Sequence, residues 1–417
     1  MANTVLTASI IAAEAITILD NELVMAGQVF RGYEDDFDKK VNGYNVGETI
    51  TIRKPTDFTV RDGAVMAAQD AIEGSTTMTL NKRKGVDFKF TSQDLTTKIS
   101  DLSERVIKPA MVQLANQVDT DLMALYRDIP NWVGTPGNVV NSFADYALAP
   151  QRLDEGAVLQ DGRSSVLSPA DYWGMLGSQT SLFINGPNKD AYREGALGMI
   201  GGVDTYMAQN VPTHITGTRT GSPVISASIT TSTTTYASVK DTNQQTISIG
   251  TLGGATQTVK AGDVFTIADV FDVNPVTKGP TNYLKMFTVV ADRTAAGSAI
   301  AALVISPAII WTGAFQNVAV TSGVTDLNTK AVTFVGAAST GFRQNMVFRK
   351  NAFALVMKPL VAPPGAVDVA RKSYKGLSVR VIPVYDGVND ESAWRLDILY
   401  GTKTIDPRQA VRLSGSP

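Results

Sequence analysis

ISDLSERVIKPAMVQLANQVDTDLMALYRDIP, residues 99–130, places Ile99, Leu102, Val106, Ala110, Leu114, Val118, Leu122, Leu125 and Ile129 at steps of three or four. That spacing lays one apolar stripe along a helix face. Asp94 and Ser100 stand upstream as N-cap candidates, and Pro130 stops the run. Pro109 lies inside it and either kinks the helix or marks its first turn. About 30 residues at 1.5 Å each make a rod of roughly 45 Å, longer than most globular helices need.

Upstream of the helix the pattern changes to alternation. ETITIRK (48–54) sets Thr49, Thr51 and Arg53 against Ile50 and Ile52, and Pro55 ends it. TTMTLNK (76–82) and VDFKF (86–90) alternate as strands do. Between the first of these three strands and the second, residues 56–75 carry Gly63, Gly74 and few large apolar residues, which predicts a long exposed excursion. Lys82, Arg83 and Lys84 fall between two predicted strands and read as a hairpin tip. Such a tip is available for intersubunit salt bridges, each worth about 0–1 kcal/mol, and is too short for a DNA-binding patch. The chain starts MANTVLTASIIAAEAITILD, with no basic residue before Arg31 and its first charge at Glu14, unlike a secretory signal. Ile10, Ala13, Ile16 (or Thr17), Leu19 and Leu23 predict a helix, either packed or held as a detachable arm.

Downstream, residues 131–217 alternate short helical and strand patterns among many glycines, and DYWGMLG after Ser168-Pro169 reads as a short capped helix. Composition shifts near Gly217. From Thr218 to Gly341, charged residues thin to roughly a tenth, against a usual quarter, and Thr, Ser, Val, Ala and Gly dominate. TTTYASV, QQTISIG, QTVKAGDVFTIADV, LKMFTVVAD, SAIAALVIS and AVTFVGA read as short strands. Their regular spacing predicts a small antiparallel barrel or sandwich. Ordinary charge resumes at NMVFRKNAFALVMK (345–358) and GLSVRVIP (376–383), so the β-rich stretch is an insertion. No internal repeat is visible.

The 417 residues exceed one usual domain. With 44% hydrophobic and 18% charged residues they bury a sizeable core. A net charge of −2 gives no strong pull towards nucleic acid or anionic lipid. The absence of cysteine excludes disulfides and thiolate chemistry. Apolar runs such as 299–305 are too short to span a bilayer.

A search for chemistry returns little. The single histidine, His214, lies near Pro212 in a predicted linker and reads as structural, since a catalytic histidine needs oriented partners. GTLGGATQTVK (250–260) lacks the ending of a phosphate-binding loop, and GALGMIGG (195–202) lacks the dinucleotide spacing; both read as turns. Glu34, Asp35, Asp36 and Asp38, and again Asp386, Asp390 and Glu391, form acidic clusters whose default is a solvated loop. No catalytic, cofactor-binding or metal-ligating residue is assigned. From the residues alone the chain is a large α+β protein with a long loop, a long helix and an insertion, features that suit assembly better than catalysis.

NVGETITIRKP (45–55) followed by TTMTLNKRKGVDFKFTSQDL (76–95) resembles the extended-loop region of tailed-phage major capsid proteins. VIKPAMVQLANQVDTDLMAL (106–125) is similar to their spine helix. NMVFRKNAFALVMKPL, GLSVRVIPVYDG and WRLDILYGTKTIDPRQAVRL resemble their closing strands and C-terminus. AYREGALGMIGGVDTYMAQNVPTHIT (191–216) resembles the segment before the inserted β domain in coat proteins of short-tailed phages of the Salmonella type. The resemblance covers most of 40–217 and 342–417.

It implies the Hong Kong 97-type capsid fold, an α+β architecture with an axial domain, a peripheral domain on the spine helix and an extended loop, here carrying an antiparallel β-barrel-like insertion. The expected parts are an N-terminal arm (1–45), the extended loop (46–92), the spine (93–130), a peripheral and axial core (131–217 and 342–417) and the insertion (218–341). The implied function is a shell of pentamers and hexamers around the double-stranded DNA of a tailed phage, built in the host cytoplasm, with no enzymatic activity and no cofactor. Implied partners are copies of the chain itself, a separate scaffolding protein, a portal protein and decoration proteins, with weak non-specific DNA contact and no membrane. Lys54 and Lys82 lie in or beside the loop, yet no matching site for a lysine–asparagine cross-link is identified. An encapsulin-like compartment shell shares the fold and is the alternative; a surface adhesin and a carboxylate-only enzyme fit less well.

Overall fold

Pro109 has no backbone N–H to donate, and the chain places it at the start of the long helix rather than in its middle. A π-helical turn, Ser103–Ile107, leads into the α-helix Lys108–Met123, so Pro109 sits in the first α turn. A 3₁₀ turn, Ala124–Asp128, closes the run. The computed structural model describes residues 8–416 except 39, 42–43, 46, 57, 67, 72, 92–102, 181–194, 196, 232–241 and 364–368. The cap candidates Asp94 and Ser100, the first part of the expected spine and the expected strand at 233–239 therefore lie outside the described residues.

The chain forms two compact units, each taken by itself below. The first comprises Met1–Thr51, Thr77–Met123 and Phe353–Lys403. Its sheet runs, in order, Lys82–Thr91, Glu391–Thr404, Leu377–Asp386 and Ala370–Tyr374, all antiparallel, with Phe353–Met357 also joined to the long strand. Period-two geometry gives this sheet two distinct faces. On one, Leu377, Val379, Val381, Leu396, Ile398 and Tyr400 are fully buried. Tyr400 donates from this face to Asp121 of the long helix at 2.7 Å, and Lys82 pairs with the same carboxylate at 3.2 Å. Burial and the Asp121 charge push the Tyr400 phenol well above its ordinary pKa.

The N-terminal helix, Ala8–Glu22, packs on this sheet and on the long helix. Its buried face is Ala8, Ile11, Ala12, Ala15, Ile16 and Leu19. Of the expected face, Ile16 and Leu19 are buried, but Ile10 and Ala13 are exposed and Ile11 and Ala12 take their place. Residues 8–19 are apolar nearly all round, so spacing alone does not fix the rotation. After the helix the chain is held by Asp119, which accepts from Val24 N at 2.8 Å and Ala26 N at 3.0 Å. Burial nonetheless raises the Asp119 carboxyl above its ordinary value.

The basic trio needs a correction. Lys82, Arg83 and Lys84 are not a hairpin tip but the first residues of the strand Lys82–Thr91, paired with Tyr400, Leu399 and Ile398. Their partners come from residues some 300 positions away, which no local pattern reveals. Residues 82–91 of the expected 46–92 loop are thus a sheet strand.

The second unit comprises Ile52–Thr76, Ala124–Ala352 and Thr404–Pro417. It holds a mixed six-stranded sheet in the order Trp132–Val133, Ala410–Leu413, Asn345–Arg349, Arg163–Leu167, Val203–Met207, Met199–Ile200. Helices Phe143–Glu155 and Pro169–Thr180 belong with it, sharing a core of Val140, Tyr146, Leu153, Leu167, Met175, Val347 and Val411. Ser142 caps the first helix by accepting from Asp145 N. Ser168 opens the second as expected, accepting from Asp171 N at 3.3 Å.

Between the strands Thr213–Ile215 and Gly341–Arg343, which pair antiparallel, lies a second sheet of seven antiparallel strands. Its order is Val224–Ile225, Gln245–Gly250, Ile300–Ser306, Pro280–Val289, Val264–Val273, Val318–Val320, with Val332–Phe334 also on Val264–Val273. The sheet curls until its first strand meets the approach to its last: Ile225 N donates to Lys330 O at 2.9 Å and Thr329 N to Ile225 O at 2.8 Å. Inside are Ile225, Ile247, Ile249, Phe265, Ile267, Phe287, Leu303, Ile305 and Val332. Phe265 and Phe287 stack with centroids 5.7 Å apart; truncating either to alanine would cost about 3–5 kcal/mol. Among the described residues no helix is long and apolar enough to cross a membrane.

Candidate assembly surfaces

The strands Thr49–Arg53 and Ser75–Thr79 form a two-stranded ribbon joined to no other strand among the described residues. Ile50, Ile52 and Met78 are buried, while Thr49, Thr51 and Arg53 face outward. Leu80 N donates to Glu48 O and Lys54 N to Gly74 O, both at 2.8 Å. Past the ribbon no strand forms among the described residues. Instead Gln69 substitutes for a strand partner: its Oε1 accepts from Thr59 N at 2.9 Å and its Nε2 donates to Thr59 O at 2.6 Å. Arg61 donates to Val65 O at 3.0 Å and to Gly63 O, closing a turn at Gly63, whose φ is +83°. An isolated hairpin is marginal in water.

The apolar residues of this arm lie on its outside. Phe58 is 56% exposed, Val60 99%, Val65 84% and Met66 82%. Sequence reading gave 56–75 too few large apolar residues. The signal was available, since residues 56–75, with no strand pattern, hold all four. Burying one such side chain contributes about 1.5–3 kcal/mol, so an uncovered tip represents several kcal/mol available to a partner. Contiguous exposed apolar surface marks interaction sites.

A second exposed apolar tip ends the hairpin between Leu377–Asp386 and Glu391–Thr404, where Val384, Tyr385 and Val388 stand out. The acidic cluster here is used up by the turn and its strands. Asp386 accepts from Val388 N at 2.9 Å, and Tyr385 donates to Asp390 at 3.0 Å. Glu391 pairs with Lys89 at 2.9 Å. The Val388 N–H and the Asn389 amide hold the Asp386 carboxyl below the usual carboxylate range. The other cluster is not a loop: Glu34, Asp35 and Asp36 form the first turn of the helix Glu34–Asp38, where carboxylates oppose the helix dipole. Among the described residues no group of three or more His, Asp or Glu could hold a metal ion.

His214 is likewise not in a linker. It is buried in the strand Thr213–Ile215, pairing with Phe342. Its Nδ1 meets the Tyr126 hydroxyl at 3.0 Å and its Nε2 meets Asp263 at 2.8 Å. Only 4% exposed, the ring is held inside the fold. Asp263 also accepts from Arg219 at 3.0 Å, Lys260 N at 3.0 Å and Gly217 N at 3.2 Å. Arg412, fully buried nearby, lies over the Tyr126 and Trp132 rings and donates to Gly262 O at 2.7 Å. Burial brings its pKa down to about 10. These charges tie the base of the curled sheet to the mixed sheet beside it. Asp263 and Arg412 were invisible in sequence, where each is one charge in an apolar strand context.

Residues 1–415 match the family described as P22 coat protein, gene protein 5. A protein named major capsid protein, from Acyrthosiphon pisum secondary endosymbiont phage 1, is 20% identical over 390 residues, 89% of this chain and 90% of that protein. The structure from Mycobacterium phage Che8 aligns with a TM-score of 0.50 at 13% identity, over 94% of this chain and 90% of that one, a likeness of fold. The capsid structure of the cyanophage P-SCSP1u aligns with a TM-score of 0.42 at 9% identity, over 89% and 84%.

Proposed function

The chain belongs to the P22 coat protein family, and on that premise we propose that it is the short-tailed-phage type of coat protein, closing with its own copies into an icosahedral shell of pentamers and hexamers around double-stranded DNA. It is a phage major capsid protein, part of the virion, with a mixed α/β fold of the Hong Kong 97 capsid type. The observation that carries self-assembly is the arm. A marginal ribbon with four large apolar side chains at its exposed tip is stable only when something covers it, and in a shell that cover is a neighbour. Many weak contacts of this kind sum by multivalency.

Within this reading, 1–45 is the N-terminal arm, 93–130 the spine, and 131–217 with 342–417 the peripheral and axial core. The extended loop is 46–92, and its free part is the hairpin up to Leu80. Residues 218–341 are an inserted barrel-like domain; its entry and exit on paired strands and the bonds linking Ile225 to Thr329 and Lys330 support this. The chain carries out no catalysis. It assembles in the bacterial cytoplasm with a separate scaffolding protein, meets the portal and decoration proteins, and touches DNA weakly. The compartment-shell alternative shares the fold, but membership in a coat-protein family favours the virion.

Negative-stain electron microscopy of the chain, alone and with candidate scaffolding proteins, tests the assembly. Closed shells tens of nanometres across are expected; a persistent monomer under every condition would sink the proposal. If deletion of 218–341 left folding yield and assembly unchanged, the stabilising role of the insertion would go.

A further inference from the structure

The second face of the first unit's sheet, where Arg380 is buried and donates to Val361 O at 2.7 Å, carries more positive charge than the structure compensates. Antiparallel register sets Arg371 opposite Arg380, Arg380 opposite Asp397, and Asp397 opposite Gly85, one row across four strands. At about 4.8 Å between strands the row is roughly 14 Å long. Arg83 and Arg395 flank it, each with its side chain 49% exposed. Asp397, 2% exposed, accepts from Arg83 at 3.0 Å, from Arg395 at 3.0 Å and from Arg380. Gly85 gives the carboxylate its room: a Cβ there would lie 2.6 Å from Asp397 Oδ1.

Three arginines thus share one buried aspartate, and Arg371 stands opposite one of them, with Asp87 the further carboxylate near Arg395, at 3.9 Å. Arg371 and Arg380 face each other as like charges, an arrangement that costs stability unless an anion joins it. Donors remain free. Among the described residues Arg395 uses only its Nε, Arg83 only one Nη, and the buried Arg380 Nε has no partner. A planar guanidinium fork is built for carboxylate or phosphate.

We propose that Arg83, Arg380 and Arg395, held on Asp397, form with Arg371 a carboxylate receptor, and that its occupant is the acidic tip of the extended loop of another copy of this chain. This rests on the reading of the arm as reaching a neighbour. The charges complement each other. Residues 55–74 contain Asp57, Asp62, Asp70 and Glu73 against Arg61 alone. Arg61 is spent on its own turn and Glu73 on Arg53. Asp62 and Asp70 are exposed, with no ion pair among the described residues. A DNA backbone fits less well. The positive spot is confined, with Asp87 and the Lys89–Glu391 pair at its edge, whereas a duplex presents a charge about every 1.7 Å and calls for a basic stripe.

Charge exchange in the full-length chain tests this. Arg371→Glu with Arg395→Glu should lower shell yield about tenfold or more while circular dichroism of the subunit is unchanged. Asp62→Arg with Asp70→Arg should do the same, and the four changes together should restore shells. Because the chain has no cysteine, Asp70→Cys with Arg395→Cys should give intersubunit disulfide ladders in assembled particles. Should the Glu pair misfold, Arg371→Gln with Arg395→Gln serves, with a smaller loss repeated at each salt concentration. Normal shells from the charge-reversed face, or no rescue and no ladder, overturns the receptor. Normal shells that retain less DNA would reassign the face to phosphate and equally overturn it. Deleting 58–70 separates the two ideas: if that abolishes shells while the Arg variants assemble, only the receptor falls.

Discussion

Replacing Asp263 by alanine should be among the most damaging single changes in the chain. The carboxylate is fully buried and accepts from His214 Nε2 at 2.8 Å, Arg219 Nη1 at 3.0 Å, Lys260 N at 3.0 Å and Gly217 N at 3.2 Å. Alanine leaves the Arg219 guanidinium, only 6% exposed, without its counter-charge, and orphans two backbone N–H groups. Breaking a buried pair from one side costs about 3–5 kcal/mol, out of a total stability of roughly 5–15 kcal/mol. With a urea slope of about 2 kcal/mol/M, the unfolding midpoint of the unassembled subunit should fall by roughly 1.5–2.5 M. Hydrogen exchange should report the opening in 244–306. Arg219→Met removes the stranded charge, so adding it to Asp263→Ala should recover at least about 1 kcal/mol. A loss under about 1 kcal/mol for Asp263→Ala, or no recovery with Arg219→Met, would refute the claim that this carboxylate anchors the base of the curled sheet.

Other outcomes follow from the same structure. Burial pushes the Asp397 carboxyl up, but Arg380, Arg395 and Arg83 outweigh it and hold the group below the usual carboxylate range. Its ionised form therefore contributes stability above the unfolded value of about 3.9 and loses it as pH falls through the lower folded value. Asp397→Asn should be less stable at neutral pH and show a shallower acid limb in urea midpoints taken from pH 2 to 6. Gly401→Ala places a Cβ 2.3 Å from the Thr79 carbonyl oxygen, so the backbone must move; a loss of about 1–3 kcal/mol by thermal melting is expected. Phe58→Ser, Val60→Ser and Met66→Ser together should leave the free subunit within about 0.5 kcal/mol of the parent, yet reduce the shell fraction in sedimentation; unaltered shells would show that the tip needs no cover.

Local pattern decided what short-range physics decides. Short β-prone runs set between turn residues located the strands Gln245–Gly250, Val264–Val273, Pro280–Val289, Ile300–Ser306 and Val332–Phe334. The stripe from Ala110 to Leu122 is the buried face of the long helix. Ser168-Pro169 announced its helix because cap chemistry is encoded in adjacent residues. Only tertiary structure could decide the rest. The N-terminal helix is apolar nearly all round over residues 8–19, so the surface it packs on chose its rotation. Lys82, Arg83 and Lys84 look like a turn because charge usually marks one; Asp121 and Asp397 made a strand of them. His214 acquired its role from Tyr126 and Asp263, 88 and 49 residues away. Neighbours along the chain fix the period and the caps, whereas a charge is buried or exposed according to partners that only the folded chain brings within reach.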